Sequence, residues 1–94
     1  MGKVDSFGNA MVQAGVECWF WSADHWPPHF TIRRPGEWQY KVEFLLEGDA
    51  MLKLEWADGK KRIGGKRKRE LFKLVQQHRE ALLAEFDAKV VQHG

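Results

Sequence analysis

Strict alternation of apolar and polar residues after Gly36 constrains the fold of this chain more than any other feature. The apolar positions are Trp38, Tyr40, Val42, Phe44 and Leu46, and Gln39, Lys41 and Glu43 stand between them. A period of two is typical of an antiparallel strand with one buried and one solvated face. After the turn residues 47–49 the pattern resumes, with Ala50, Leu52, Leu54 and Trp56 opposite Met51, Lys53 and Glu55. The pattern predicts a hairpin with one apolar face.

Two further strands are predicted upstream of this hairpin. Residues 17–22 (ECWFWS) are rich in aromatic residues, and residues 29–34 form a second run after a turn at 23–28 that contains two prolines. Residues 34–37 fit a type II turn, with Pro35 at the second position and Gly36 at the third. Short turns between consecutive strands favour a four-stranded antiparallel meander.

A helical pattern follows from about Arg67 to Val90. At 100° per residue its apolar residues share one broad stripe: Leu71, Phe72, Val75, Leu82, Leu83, Phe86 and Val90. That stripe is expected to cover the apolar face of the sheet. The predicted fold is therefore α+β in two layers, β-β-β-β-α, with one long C-terminal helix on one face. The 94 residues support one domain at 16–94, and residues 1–15 are predicted as a loosely ordered N-terminal arm.

Composition bears on the class of protein. A single cysteine, Cys18, excludes an internal disulfide framework and a cysteine-based zinc finger, and it suits a reducing compartment. No run approaches the roughly 20 apolar residues of a membrane span, and the first residues lack a signal-peptide pattern. We therefore expect a cytoplasmic protein that does not use a membrane, and no cofactor is predicted.

The turn Asp24-His25-Trp26-Pro27-Pro28-His29 is the first candidate site. Neutral imidazoles bind metals, and a stiff di-proline turn could direct His25 and His29 at one ion, with Asp24 as a further candidate ligand. A stable zinc site would need more ligands than this turn supplies. A structural turn capped by Asp24 and a catalytic or pH-sensing histidine are the alternatives, so no metal is predicted.

The second candidate is a basic segment at residues 60–69. Its cations are Lys60, Lys61, Arg62, Lys66, Arg67, Lys68 and Arg69. The segment runs into the first turn of the predicted helix, where cations are disfavoured, and no side chain suited to an N-cap is near. Bare amides at Gly64 and Gly65 suit an anion such as phosphate. A solvated charge run, nucleic-acid binding and an acidic protein partner all remain open.

The third and fourth candidates are exceptions to the two-layer pattern. The first strand is apolar on both sides, with Trp19 and Trp21 on one and Cys18 and Phe20 on the other. The surplus side needs a cover: the arm, a second copy of the chain, or a ligand such as a stacked base.

Arg79 lies near the middle of the helix's apolar stripe, and His78 lies at its edge. A charge in that position either reaches solvent by its stem or is paired. Pairing with the Asp24–His25 turn would join the two regions in one site.

The runs FWSADHWPPHFTI and HREALLAEF resemble a family of short bacterial proteins, domain of unknown function 4160. Members carry a D-H-x-P-P-H-x-H motif and a final helix with His-(Arg/Lys)-Glu-x-Leu-Leu-x-x-Trp. The matching residues are Asp24, His25, Pro27, Pro28 and His29, and then His78, Arg79, Glu80, Leu82 and Leu83. The likeness begins near Val16. Thr31 stands where the family has its third histidine and Phe86 where it has tryptophan, which weakens the case for a three-histidine metal site.

The resemblance implies a protein that works with a small partner protein, as in toxin–antitoxin-type gene pairs. The first hypothesis is therefore a binding or regulatory protein, with a homodimer as a further option. Nucleic-acid binding through residues 60–69 is the second hypothesis. A metal- or histidine-dependent enzyme at residues 24–29 is the third, because no recognisable catalytic motif is present.

Overall fold

The computed structural model describes residues 2–7, 11, 15–21 and 25–90. In this part of the chain, one antiparallel sheet has the strand order β1-β2-β3-β4-β5. The strands are β1 (Gly2–Lys3), β2 (Glu17–Phe20), β3 (Phe30–Arg34), β4 (Trp38–Val42) and β5 (Leu52–Ala57). A 3-10 turn at Gly48–Met51 precedes β5, and the helix α1 spans Gly65–Lys89.

The predicted class is confirmed, since the chain is α+β with an antiparallel sheet and a long C-terminal helix. The predicted strand number of four was wrong. The fifth strand, β1, pairs with β2 through Gly2 opposite Phe20 and Lys3 opposite Trp19. Two residues are too few to show any periodicity, and their pairing uses backbone groups that every residue carries. Sequence patterning therefore could not reveal β1.

The core lies between the apolar face of the sheet and α1. The buried residues within α1 are Leu71, Val75, Leu82 and Phe86, all members of the predicted stripe. They join sheet residues such as Phe20, Phe30 and Ile32 in one cluster. Within the described ranges, no helix has the length and apolar character needed to cross a membrane.

Several residues from the predicted N-terminal arm also lie in this core. Val4, Phe7 and Met11 are buried, and the Phe7 ring meets the Phe30 ring edge-on at 5.5 Å. The amide of Val4 donates to the carbonyl of Cys18 (3.2 Å). The first residues thus share the core with the segments that follow Gly15.

The connection between β3 and β4 has the expected turn geometry. Gly36 has a φ of +79°, and the amide of Glu37 donates to the carbonyl of Arg34 (3.0 Å). A positive φ at the third position is what a type II turn requires, and glycine adopts it without the steric cost of a Cβ.

The connection between β4 and β5 differs from the alternation. Strand β4 ends at Val42, and the 3-10 turn replaces the predicted start of the next strand at Ala50. Met51, expected on the polar side, is buried, whereas Leu46, expected on the apolar side, is 41% exposed. The tighter turn changes the side-chain period from two to three, so parity with the strand is lost.

A register shift at Gln39 and Tyr40 moves Trp56 to the other face of the sheet. Tyr40 is opposite Leu54, but Gln39 is opposite Trp56, so β5 has one extra residue, Glu55. A bulge of this kind moves each later side chain of the strand to the opposite face of the sheet. Trp56 was expected on the apolar face and instead shares the polar face with Gln39.

The N-terminal segment is fastened to the end of α1 by a polar cluster of Asp5, Ser6, Glu85 and Lys89, here called the N-terminal clasp. The Lys89 ammonium donates to Asp5 (2.7 Å), to Glu85 (3.1 Å) and to the Lys3 carbonyl (2.6 Å). Glu85 accepts from the amides of Asp5 (2.8 Å) and Ser6 (2.6 Å) and from the Ser6 hydroxyl. The clasp holds β1 in place from outside the core.

The clasp shifts the ionisation of its members. Partial burial raises the pKa of the Glu85 carboxyl, but hydrogen bonds from Ser6, Asp5 and Lys89 outweigh it, so the net pKa is lowered. The hydrogen bond and charge of Lys89 lower the pKa of Asp5. Burial lowers the pKa of Lys89, but hydrogen bonds and attraction to Asp5 and Glu85 give a net increase. All three groups are therefore held in their charged forms.

We predict that Phe86→Ala lowers the free energy of unfolding by about 3–5 kcal/mol, the usual cost of a buried phenylalanine. Phe86 is fully buried and lies 6.2 Å from the ring centroids of Phe20, Trp26 and His29. Urea unfolding followed by circular dichroism measures the change. The matched control is Leu46→Ala at an exposed position, expected to stay within about 0.5 kcal/mol. Equal losses in the two variants would contradict the placement of the core.

We also predict that the clasp weakens in acid. Because the pKa of Glu85 is lowered by folding, its contribution is complete above the ordinary value of 4.5 and is lost as pH falls through the folded-state value. The raised pKa of Lys89 places the opposite loss above 10.5. Glu85→Gln should therefore be less stable than the unmodified chain at neutral pH, with the difference shrinking below pH 4.5. Urea titrations at stepped pH test this, and a constant difference would count against it.

Candidate functional site

The face of the sheet opposite α1 carries a group of tryptophans. Cys18 and Phe20 of β2 face the core, so Trp19 and Trp21 lie on the other side, and the bulge brings Trp56 there as well. We call this surface the tryptophan face. Its other members, on β3, β4 and β5, are Thr31, Arg33, Gln39, Lys41, Lys53 and Glu55. The side of β2 that sequence parity could not assign is thus the tryptophan side.

Trp19 is covered largely by its own chain and is only 7% exposed. The Trp21 ring meets it edge-on at 5.6 Å, and the Arg33 guanidinium lies 4.9 Å from its ring centroid. The Glu17 carboxylate binds Arg33 at 2.8 Å and so holds the guanidinium in that position. Trp19 Nε1 is buried and has no hydrogen-bond partner among the described residues. Trp19 therefore lies beneath the surface as part of its packing, whereas Trp21 is 44% exposed and is accessible on it.

A cavity of about 240 Å³ opens beside Trp21, here called the histidine groove. It is lined by Trp21, His25, Trp26, Pro27, His29, Thr31, Lys41 and Glu55. A second cavity of about 230 Å³ lies on the other side of Trp21, towards Lys3 and Arg33. The two hollows flank one exposed aromatic ring, and each contains both a cationic and an acidic side chain.

The two predicted histidines differ in their surroundings. His29 is buried, and its Nδ1 donates to the carbonyl of Pro27 (2.8 Å), which fixes the ring within the turn. The His29 ring centroid is 6.2 Å from that of Phe86 in α1. His25 is exposed on the wall of the histidine groove. His29 therefore positions the turn, and His25 is the imidazole that meets solvent.

Asp24 lies outside the described residues, so its role beside His25 and His29 stays a prediction. Among residues 2–7, 11, 15–21 and 25–90, no three His, Cys, Asp or Glu side chains converge in a way that could hold a metal ion. Thr31, at the position of the family's third histidine, is buried and lines the groove with His29.

Arg79 binds the turn after β4. Its Nε donates to the Phe44 carbonyl (2.8 Å), its Nη2 to the Leu46 carbonyl (3.3 Å), and its Nη1 lies 3.0 Å from the Glu47 carboxylate. Every polar contact of its guanidinium within the described ranges goes to this turn, none to His25. The charge in the apolar stripe is thus satisfied by backbone carbonyls, which a sequence pattern does not display.

His78, at the edge of the stripe, is half-buried and packs 6.2 Å from the Phe7 ring. Its backbone leaves helical geometry (φ −120°, ψ 17°) and kinks α1 there. Through Phe7 it contacts the N-terminal segment, so the structure brings His78 to the core side of the sheet, away from the tryptophan face.

The basic segment at residues 60–69 is partly neutralised. Its ion pairs are Lys61 with Asp58 (3.3 Å), Arg67 with Glu70 (2.6 Å) and Lys68 with Asp49 (3.0 Å). Gly64 precedes α1 without a side-chain cap, as the sequence indicated. Lys66 and Arg69 are exposed and form no ion pair with any described residue. The free positive charge at the start of α1 is therefore smaller than the composition suggests.

No family model, no curated protein and no solved structure matches this chain. The resemblance to domain of unknown function 4160 consequently stays a prediction made from motifs.

Trp56, Lys41 and Glu55 join this surface without having been singled out in the sequence. Alternation places Lys41 and Glu55 on the polar side of the sheet, and this is the sequence feature from which their membership of the surface could have been predicted. Trp56 reaches it only through the bulge in the β4–β5 register. Backbone irregularity of this kind leaves no periodic trace in the residues on either side.

We predict that Arg79→Ala destabilises the protein by about 1.5–3 kcal/mol, because charge-assisted hydrogen bonds to two carbonyls are lost. Arg79→Lys keeps the charge but not the forked geometry, so its free energy of unfolding should lie between those of Arg79→Ala and the unmodified chain. Urea unfolding measures all three proteins. Arg34→Ala is the control, since the ion pair of Arg34 with Glu37 is exposed and worth at most about 1 kcal/mol. An Arg79→Ala loss no larger than the control would show that the turn does not depend on this side chain.

Proposed function

We propose that this chain is a non-enzymatic binding protein that takes a small partner protein on its tryptophan face. The observation that carries the proposal is the exposure of Trp21 (44%), Trp26 (63%) and Trp56 (50%) on or beside one sheet face. Tryptophan is enriched at the centres of protein–protein interfaces, where it contributes more binding energy than most residues. Such side chains in a small domain are costly to leave in water, and a partner would remove that cost.

The charges on the tryptophan face favour a protein over a nucleic acid. Arg33 is paired with Glu17, and Lys53 lies 3.8 Å from Glu43. In the histidine groove, Lys41 is accompanied by Glu55. A nucleic-acid surface needs clustered, unopposed cations to displace counterions, whereas mixed charges around aromatic anchors are usual at protein interfaces.

Nucleic-acid binding at residues 60–69 has weaker support. That segment connects β5 to α1 and forms its first turn, and three of its seven cations are held in ion pairs with acidic side chains. Lys66 and Arg69, two of its four cations that form no ion pair with a described residue, make it the natural comparison site in an experiment.

The enzyme alternative has no added support from the described atoms. One nitrogen of His29 is engaged by the Pro27 carbonyl, and the remaining members of the candidate set are His25 and Asp24, the latter outside the described residues. The histidine turn instead contributes Trp26 and His25 to the walls of the groove.

The resemblance to domain of unknown function 4160 supports the same proposal independently. Of its D-H-x-P-P-H motif, His25, Pro27 and His29 line the histidine groove, adjacent to Trp21. The small partner protein that the resemblance implies would then dock at the histidine groove, where the motif lies beside the exposed Trp21 and Trp26. We further propose a regulatory role in the cytoplasm, which the lone Cys18 favours.

We predict that the tagged chain, expressed in its native host, retains one small protein in stoichiometric amount, and that Trp21→Ser/Trp56→Ser loses it. The matched variant Lys66→Gln/Arg69→Gln removes exposed cations from the other side and should retain the partner. Native mass spectrometry of each purified complex gives identity and copy number. Circular dichroism confirms that both variants fold.

The opposite pattern would favour the nucleic-acid hypothesis. In that case Lys66→Gln/Arg69→Gln would lose its ligand, and a labelled single-stranded oligonucleotide would bind the unmodified chain with steep salt dependence. Retention of the same partner by Trp21→Ser/Trp56→Ser would reject the tryptophan face as the docking surface.

A further inference from the structure

Strand β5 leaves one long edge of the sheet open. Within the described part of the chain it pairs with β4 on one side only, and all six of its residues are exposed or half-buried. The opposite edge, β1, has only two residues. An edge of this length presents unpaired amides and carbonyls that another strand can satisfy.

The ladder between β4 and β5 shows which backbone groups point outwards. The amide of Glu43 donates to the carbonyl of Met51 (2.8 Å). In an antiparallel pair the hydrogen-bonded positions recur every second residue, so the backbone groups of Lys53 also face β4. The amides and carbonyls of Leu52 and Leu54 therefore point to the open edge.

We propose that a second copy of this chain pairs with the first along β5, antiparallel, with Leu54 opposite Leu54 of the second copy. In this register the outward amide and carbonyl of Leu54 bond their counterparts across a twofold axis. Lys53 lies opposite Glu55 of the second copy, and Glu55 lies opposite its Lys53. Two opposite-charge pairs therefore form on the same face of the joined sheet.

Charge complementarity favours this register over the two neighbouring registers that also match outward-facing groups. Moving the second strand by two residues in one direction places Lys53 opposite Lys53. Moving it in the other direction places Glu55 opposite Glu55. Like charges directly opposite one another destabilise a strand pair, so both alternatives are disfavoured.

The apolar side of β5 supports the same arrangement. Leu54 faces that side, opposite Tyr40, and is 43% exposed because α1 does not cover it. Pairing brings the two Leu54 side chains together at the twofold axis and removes both from water. The tryptophan faces of the two copies then form one continuous surface, with each Trp56 near the junction. The pairing does not depend on the proposed function, because it uses the backbone edge of β5 and not the side chains of the tryptophan face.

Sedimentation velocity from micromolar to near-millimolar concentration tests the pairing. The unmodified chain should show a concentration-dependent monomer–dimer equilibrium. Lys53→Glu or Glu55→Lys alone puts like charges opposite at two positions and should weaken the dimer roughly tenfold. The double variant Lys53→Glu/Glu55→Lys restores opposite charges and should recover the dimer. A monomer at every concentration, or a dimer unaffected by either single reversal, would overturn the proposal.

Cysteine cross-linking tests the register itself. Lys53 and Glu55 of the second copy would form a non-hydrogen-bonded pair, with Cα atoms roughly 4.5 Å apart, within disulfide range. A mixture of Lys53→Cys and Glu55→Cys chains should therefore cross-link on mild oxidation, and neither variant alone should do so. Cys18 does not interfere, because it is buried and burial raises its pKa to about 12. Cross-linking within either variant alone to the extent seen in the mixture, or no cross-linking in the mixture, would overturn this register.

Discussion

The contact between the apolar stripe of α1 and one face of the sheet determines what the rest of this molecule can do. Leu71, Val75, Leu82 and Phe86 pack against that face, so the side chains that the strands carry on the opposite face lie outside the core. On β2 that means tryptophans, because Cys18 and Phe20 are taken by the core. A small domain with a single core leaves a second aromatic surface partly in water, and Trp21 and Trp56 are 44% and 50% exposed there.

Periodicity predicted the parts of the fold that burial controls. The stripe of α1 and the alternation of β4 follow from which side chains must leave water. Backbone events escaped the prediction: β1 is held by pairing that is independent of side chains, Met51 is buried through a 3-10 turn, and one extra residue at Glu55 moves Trp56 between faces. The candidate site shows the same division, since Trp19, Trp21 and His25 were recognised from residue type, whereas the carbonyl partners of Arg79 were not.

Arg79 and His29 are polar side chains next to the apolar core, and each is hydrogen-bonded to backbone carbonyls of a loop. Arg79 enters the apolar stripe and is satisfied by carbonyls of the turn after β4, so that turn is tied to the helix that crosses beneath it. His29 is satisfied within its own turn by Pro27, and its ring meets Phe86. Both connect a loop to α1, and the second does so for the turn that lines the histidine groove.

The N-terminal clasp also affects the order in which the chain assembles. The bond from Lys89 to the Lys3 carbonyl joins residues 86 positions apart, and Glu85 reaches Asp5 across 80. Closing so long a loop carries a larger entropic cost than forming the β3–β4 and β4–β5 hairpins, whose strands are adjacent in sequence. The hairpins and α1 are therefore expected to form first and β1 to dock last. By the same reasoning β1 detaches first, so the edge of the sheet beside Trp19 opens at a lower free energy than the opposite side of the sheet.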